Sequence, residues 1–170
     1  MPIPDISADG RGSWFVLHTR TNQEKPLARD LKARGIDHFL PLVPAVRYRG
    51  KKKLKADWPL FPGYLFLRGS IDDAYTADRG RRVAHIIPVA DQRRLIWELQ
   101  NLAKAIEHGV PLDPYPYLKK GIGVEITSGP LRGLQGMIES RTSLDRLILA
   151  VEMLGQGVSV ELHGAVVEPI

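Results

Sequence analysis

The chain contains no cysteine, so disulfide staples, thiolate nucleophiles and cysteine-based zinc sites are all excluded. It also lacks any apolar run approaching the ~20 residues of a membrane-spanning helix. Residues 1–12 carry Pro2, Pro4, Asp5, Asp9 and Gly10 without an apolar stretch, which does not read as a signal peptide. The expectation is a cytoplasmic monomer with no membrane partner, whose residues 1–12 form a mobile arm. Catalytic constellations are missing too. His18, His38, His85, His108 and His163 are scattered without metal-ligand spacing. Glu98, Glu107, Asp72 and Asp73 form no acid–base pair with a nucleophile, and no phosphate-binding loop occurs. No metal, no cofactor and no enzymatic activity are expected.

What is present is an uneven charge. The formal net charge is +5, but Lys and Arg are concentrated in residues 1–118, whereas residues 121–170 hold only Arg132, Arg141 and Arg146 against six carboxylates. A basic front attracts polyanions by long-range attraction and counterion release, and an acidic back avoids them. Two domains with different kinds of partner follow from that division.

Trp14-Phe15-Val16-Leu17-His18-Thr19 is rich in β-formers and reads as a buried strand. Thr21 or Asn22 is placed to cap a helix carrying Leu27, Ala28 and Leu31, with Pro26 in its first turn and Gly35 ending it. Phe39 to Val43 reads as a strand near an edge because of Pro41. A polar hairpin follows, then an aromatic strand, a short helix over 72–79, and a strand over 85–89. Leu95, Leu99, Leu102 and Ile106 recur at helical spacing, and Gly109 stops that helix. Helices on an antiparallel sheet give an α+β architecture. Pro111, Pro114 and Pro116 then predict an irregular, stiff linker. The tail alternates short β runs with glycines, among them Val158, Val160 and Leu162 after Gly155 and Gly157, and reads as a small closed barrel. Residues 144–154 are also compatible with a helix. The domains are therefore 1–12 (arm), 13–108, 109–117 (linker) and 118–170.

The segment Leu60-Phe61-Pro62-Gly63-Tyr64-Leu65-Phe66-Leu67 is the richest in information. Alternation in a strand puts Tyr64 and Phe66 on one face and Leu65 and Leu67 on the other, so one face fills a core and the other is available to a partner. Burying half of each ring on a partner, at roughly 150–250 Å² per ring and about 25 cal/mol per Å², gives ~4–6 kcal/mol gross for the pair. Arg47-Tyr48-Arg49-Gly50-Lys51-Lys52-Lys53-Leu54-Lys55 is a basic hairpin suited to phosphate contacts through Arg47, Arg49, Lys51, Lys52 and Lys53.

The strand from Trp14, the segment 60–67, and the tail with Gly121-Ile122-Gly123-Val124-Glu125-Ile126 followed by Gly129-Pro130, Gly133 and Gly136 occur in one order. Together, over residues 13–170, they closely resemble the NusG family of transcription elongation factors. The resemblance implies an N-terminal domain whose antiparallel sheet carries flanking helices, joined by a linker to a small SH3-like β-barrel, the KOW domain. It implies that the first domain grips the clamp helices of RNA polymerase through an apolar pocket, at Phe61, Pro62, Tyr64 and Phe66, and suppresses pausing. The KOW barrel would recruit ribosomal protein S10 or Rho. Arg20-Thr21-Asn22-Gln23-Glu24-Lys25 and Arg81-Arg82-Val83-Ala84-His85 look more like specialised, RfaH-type antiterminators. In those members Arg20, Arg81 and Arg82 would meet the non-template DNA strand, where arginine stacks on or hydrogen-bonds an unpaired base. His85 is as compatible with a structural role. The alternative is a ribosome-associated KOW-type RNA-binding protein with the basic hairpin on rRNA. Some relatives cover the polymerase pocket with a helical C-terminal domain, and the Val/Ile-rich strands here favour a barrel at rest.

Overall fold

The computed structural model describes residues 3–139 and 145–170, so Pro2, Arg141 and Leu144 lie outside the described residues. The chain is mixed α/β, with antiparallel sheets and three α-helices among the described residues, and divides into two compact units, Met1–Leu95 and Ile96–Ile170.

The first unit is organised around β1 (Ser13–Thr19), whose neighbours are β5 (Tyr64–Gly69) and β6 (Val83–Pro88); β2 (Asp37–Phe39) pairs on the far side of β5, giving the order β2-β5-β1-β6. Every pairing is antiparallel. The register sets Leu17 opposite Leu65, and these two with Leu67 meet α1 (Glu24–Ala33) through Leu27 and Leu31 and α2 (Ile71–Asp78) through Ala77. That is one core face.

Local chemistry explains the helix ends. The N-cap position of α1 is Gln23, not Thr21 or Asn22 as expected, and no side chain caps the helix; Asn22 takes φ 60° instead. Its C-terminus closes as a Schellman motif: Gly35, at φ 70°, donates to Lys32 O, and Ile36 donates to Leu31 O. Ile36 also packs on the core. α2 carries a reciprocal capping box between Ser70 and Asp73.

β3 (Leu42–Arg49) and β4 (Lys52–Pro59) form a two-stranded ribbon that pairs only with itself. Gly50 and Lys51 make its two-residue loop, and Gly50 at φ 63° supplies the positive φ such a loop needs at its first position.

The segment before β1 is tied to the first sheet at three carbonyls. The buried Arg68 guanidinium donates to the carbonyls of Asp5 (3.2 Å), Ser7 (2.7 Å) and Gly10 (3.0 Å), and lies 5.5 Å from the Trp14 ring centre. Ser7 in turn donates backbone and hydroxyl hydrogen bonds to Asp5, which hold the Asp5 carboxyl below its ordinary range.

The boundary between the compact units falls inside α3 (Gln92–Glu107). At its start, Gln92 exchanges two hydrogen bonds with the Trp14 backbone, extending β1 by a side chain. From Ile96 on, polar residues of α3 belong to the second unit. Trp97 donates to Gln135, Asn101 accepts from the Gln135 backbone, and Lys104 donates to the Arg132 carbonyl.

The second unit is a six-stranded antiparallel sheet. Its strands are β7 (Asp113–Tyr115), β8 (Ile122–Ile126), β9 (Gln135–Ile138), β10 (Arg146–Val151), β11 (Gln156–Glu161) and β12 (Val167–Pro169), in the order β12-β8-β9-β10-β11-β7. Residues 146–151 are extended, which resolves the ambiguity there in favour of strand. Within the proline-rich segment 109–117 one stretch, β7, is regular. Asp113–Tyr115 pairs with Gly157–Ser159, and Arg146 ties the strand down by bonding Asp113 and Ser159. Tyr115 donates to Glu139 at 2.7 Å; this bond, with Lys119, holds the Glu139 carboxyl below its ordinary range, and the same bond to the carboxylate raises the tyrosine hydroxyl.

Gly136 shows how tightly β9 and β10 approach. A Cβ there would sit 2.5 Å from the Ile148 carbonyl oxygen, which is backbone and cannot swing aside. Gly136→Ala is expected to destabilise this unit by about 1–3 kcal/mol through overpacking. Urea denaturation checks this, and unchanged stability would mean that the strands can separate at no cost.

Candidate functional site

The second face of the first sheet carries the residues singled out for docking. Strand register places Trp14, Val16 and His18 of β1 beside Arg68, Phe66 and Tyr64 of β5. The four expected contact residues separate into two classes. Pro62 is exposed and Tyr64 half-buried, but Phe61 and Phe66 are 1% and 0% exposed. Phe61 meets Phe66 edge-on at 6.2 Å, and Phe39 lies 6.5 Å away on the other side. Both rings are thus packed inside the first unit: alternation assigns a face, but not what covers it.

At the open end of this face stands a row of three rings. His18 pairs in register with Tyr64 on one neighbour and His85 on the other. The ring centres are 5.1 Å and 5.8 Å apart, with planes within 21° and 22° of parallel. His85 is exposed, and Gly63 sits beside His18, where an added Cβ would approach the imidazole to 3.6 Å. His18 was missed in the sequence. Alternation puts it on the Trp14 side of β1, but only the register brings it against Tyr64. Among the described residues no group of three or more His, Asp or Glu could hold a metal ion.

Arg20, Arg81 and Arg82 are brought to one edge. The Arg20 N–H donates to the Arg82 carbonyl at 2.8 Å, and Arg81 takes φ 57° at the turn into β6. Arg20 and Arg81 are exposed. Arg82 is only half exposed and is engaged within the unit: it bonds Asp30 at 2.8 Å and Gln23 at 2.6 Å, bracing β6 against α1.

The basic hairpin forms as read, with Arg47, Arg49, Lys51, Lys52 and Lys53 all exposed on the β3–β4 ribbon. Arg47 is less free than the others, since its guanidinium lies 3.8 Å from the Trp58 ring centre. A cavity of about 510 Å³ whose lining does not include Tyr64 lies between residues Ile3 and Pro4, α1 and β2, and is lined by Ala28, Ile36, Leu40 and Leu42 among others.

In comparisons with known proteins, the sequence matches the NusG family, described as "Transcription termination factor nusG", over residues 12–101. It is 23% identical over 168 residues to the "Transcription termination/antitermination protein NusG" of Rickettsia typhi, spanning 88% of this chain and 86% of that protein. The Rickettsia prowazekii protein of the same name is similar to the same extent, 23% over 168 residues. A solved chain of the MjSpt4:Spt5 complex aligns over 92% of this chain and 97% of its own at 18% identity, with a TM-score of 0.33, too low to argue from. The match to the family takes in every element of the first unit, from the central strand to the ring row and the basic ribbon, so this chain belongs to the NusG family of transcription factors.

Proposed function

We propose that the protein is a transcription elongation and antitermination factor that binds the clamp helices of RNA polymerase through its first unit and suppresses pausing. The observation that carries this is the family match over residues 12–101, which contains the docking segment. The contact is made by Pro62 and Tyr64, with His18 and His85 continuing the ring row, while Phe61 and Phe66 stiffen the strand behind them. By bridging the walls of the polymerase cleft, the factor disfavours clamp opening and shifts the population away from paused states. Arg20 and Arg81 suit the unpaired non-template strand of an RfaH-type antiterminator, and the ribbon cations suit nearby phosphates. The second domain, whose strands are formed in the free chain, is the recruiting module, a KOW barrel for ribosomal protein S10 or Rho.

With Tyr64 the one open ring of Phe61, Tyr64 and Phe66, the gross docking gain from these aromatics falls to about 2–3 kcal/mol for half a ring's area. Tyr64→Ala is expected to weaken binding to purified polymerase about tenfold, given the ordering costs set against that gain, with folding intact. Undiminished affinity in a folded variant would overturn the docking assignment.

A further inference from the structure

We propose that the exposed ring of Tyr48, on the β3–β4 ribbon, is a stacking platform for unpaired nucleotides of a single strand. Residues 42–59 hold Arg47, Arg49, Lys51, Lys52, Lys53 and Lys55 against Asp57 alone, a net charge equal to the +5 of the whole chain. Among the described residues none of Arg49, Lys51, Lys52, Lys53 and Lys55 makes an ion pair. Like charges held this close repel, and the arrangement is relieved by a polyanion.

The register then sorts side chains between the two ribbon faces. On one face Arg47 covers Trp58, which takes that indole out of play. On the other, Tyr48 lies directly across from Lys53 and Val46 across from Lys55. Tyr48 is 71% exposed and Val46 46% exposed, high values for apolar groups on a formed strand. A flat ring with an ammonium on the facing strand, roughly 4.5–5.5 Å away between Cβ atoms, offers a base its π-face and the adjoining phosphate its counter-charge.

Duplex is the poorer fit. Its base faces are already stacked, and a ribbon reading a groove presents amide or guanidinium groups to base edges. The Tyr48 face has none: Pro44, Val46, Tyr48, Lys53, Lys55 and Asp57 make it up. Stacking on an unpaired base tolerates any sequence, so the ribbon adds affinity without specificity.

The inference rests on the reading of the ribbon as a nucleic-acid contact but not on polymerase docking, and its test uses no polymerase. Anisotropy titrations of the full chain with labelled single-stranded DNA, single-stranded RNA and matched duplex, each of about 15 nucleotides, decide it. The single strands are expected to bind tighter than the duplex. Tyr48→Ala should lose about tenfold on single strands and nothing on duplex, while Tyr48→Phe keeps wild-type affinity. Lys53→Gln with Lys55→Gln should weaken all probes and flatten the salt dependence. A loss on RNA alone or on DNA alone supports the proposal and names the strand. Unaltered single-strand affinity in Tyr48→Ala, or equal losses on single strand and duplex, overturns it.

Discussion

Phe66→Ala is expected to cost the first unit about 3–5 kcal/mol, the loss typical when a fully buried phenyl ring is truncated. Phe66 is completely buried, pairs in register with Val16 on one side and Phe39 on the other, and receives the edge of Phe61. Removing it therefore leaves a void bordered by two rings and two strands. Phe66→Leu, which retains most of the volume, should cost much less. Urea unfolding followed alongside polymerase binding separates the roles assigned to neighbouring aromatics. A Phe66→Ala chain as stable as the parent, yet unable to bind, would restore Phe66 as a contact and undo its placement in the core.

Arg68→Ala should destabilise the first unit by about 2–4 kcal/mol, because it removes charge-assisted hydrogen bonds to three carbonyls. Arg68 is 4% exposed, and its guanidinium is met by carbonyl dipoles and the Trp14 ring. Its loss should also release residues 3–12, read as fast amide exchange there while β1 stays protected. The fit is close: a Cβ at Gly10 would come within 2.5 Å of the guanidinium. Slow exchange persisting in Arg68→Ala would show that the segment is held by something else.

Much of this was legible because periodicity reports faces. The alternation in 13–19 and 64–69 and the helical spacing in 92–107 each produced the expected element. What alternation omits is cover. It placed Tyr64 and Phe66 together correctly, yet one is half-buried and the other fully buried. Tertiary partners account for the other departures. Three prolines between 111 and 116 argue against regular structure, but Arg146 and β11 hold Asp113–Tyr115 in a strand regardless. The charged, proline-bearing start of the chain carries no local sign of order, and its order comes from an arginine 58 residues or more away in sequence. Thr21 and Asn22 have the right chemistry to cap α1, and the turn at Asn22 passes them by.

Both outer strands of the six-stranded sheet contain an imino acid, Pro114 in β7 and Pro169 in β12. Neither can offer an amide proton at that position to an incoming chain, so the margins that would template fibril growth are chemically blunted. Each margin of the sheet is thereby a poorer template for a strand from a second copy of the chain.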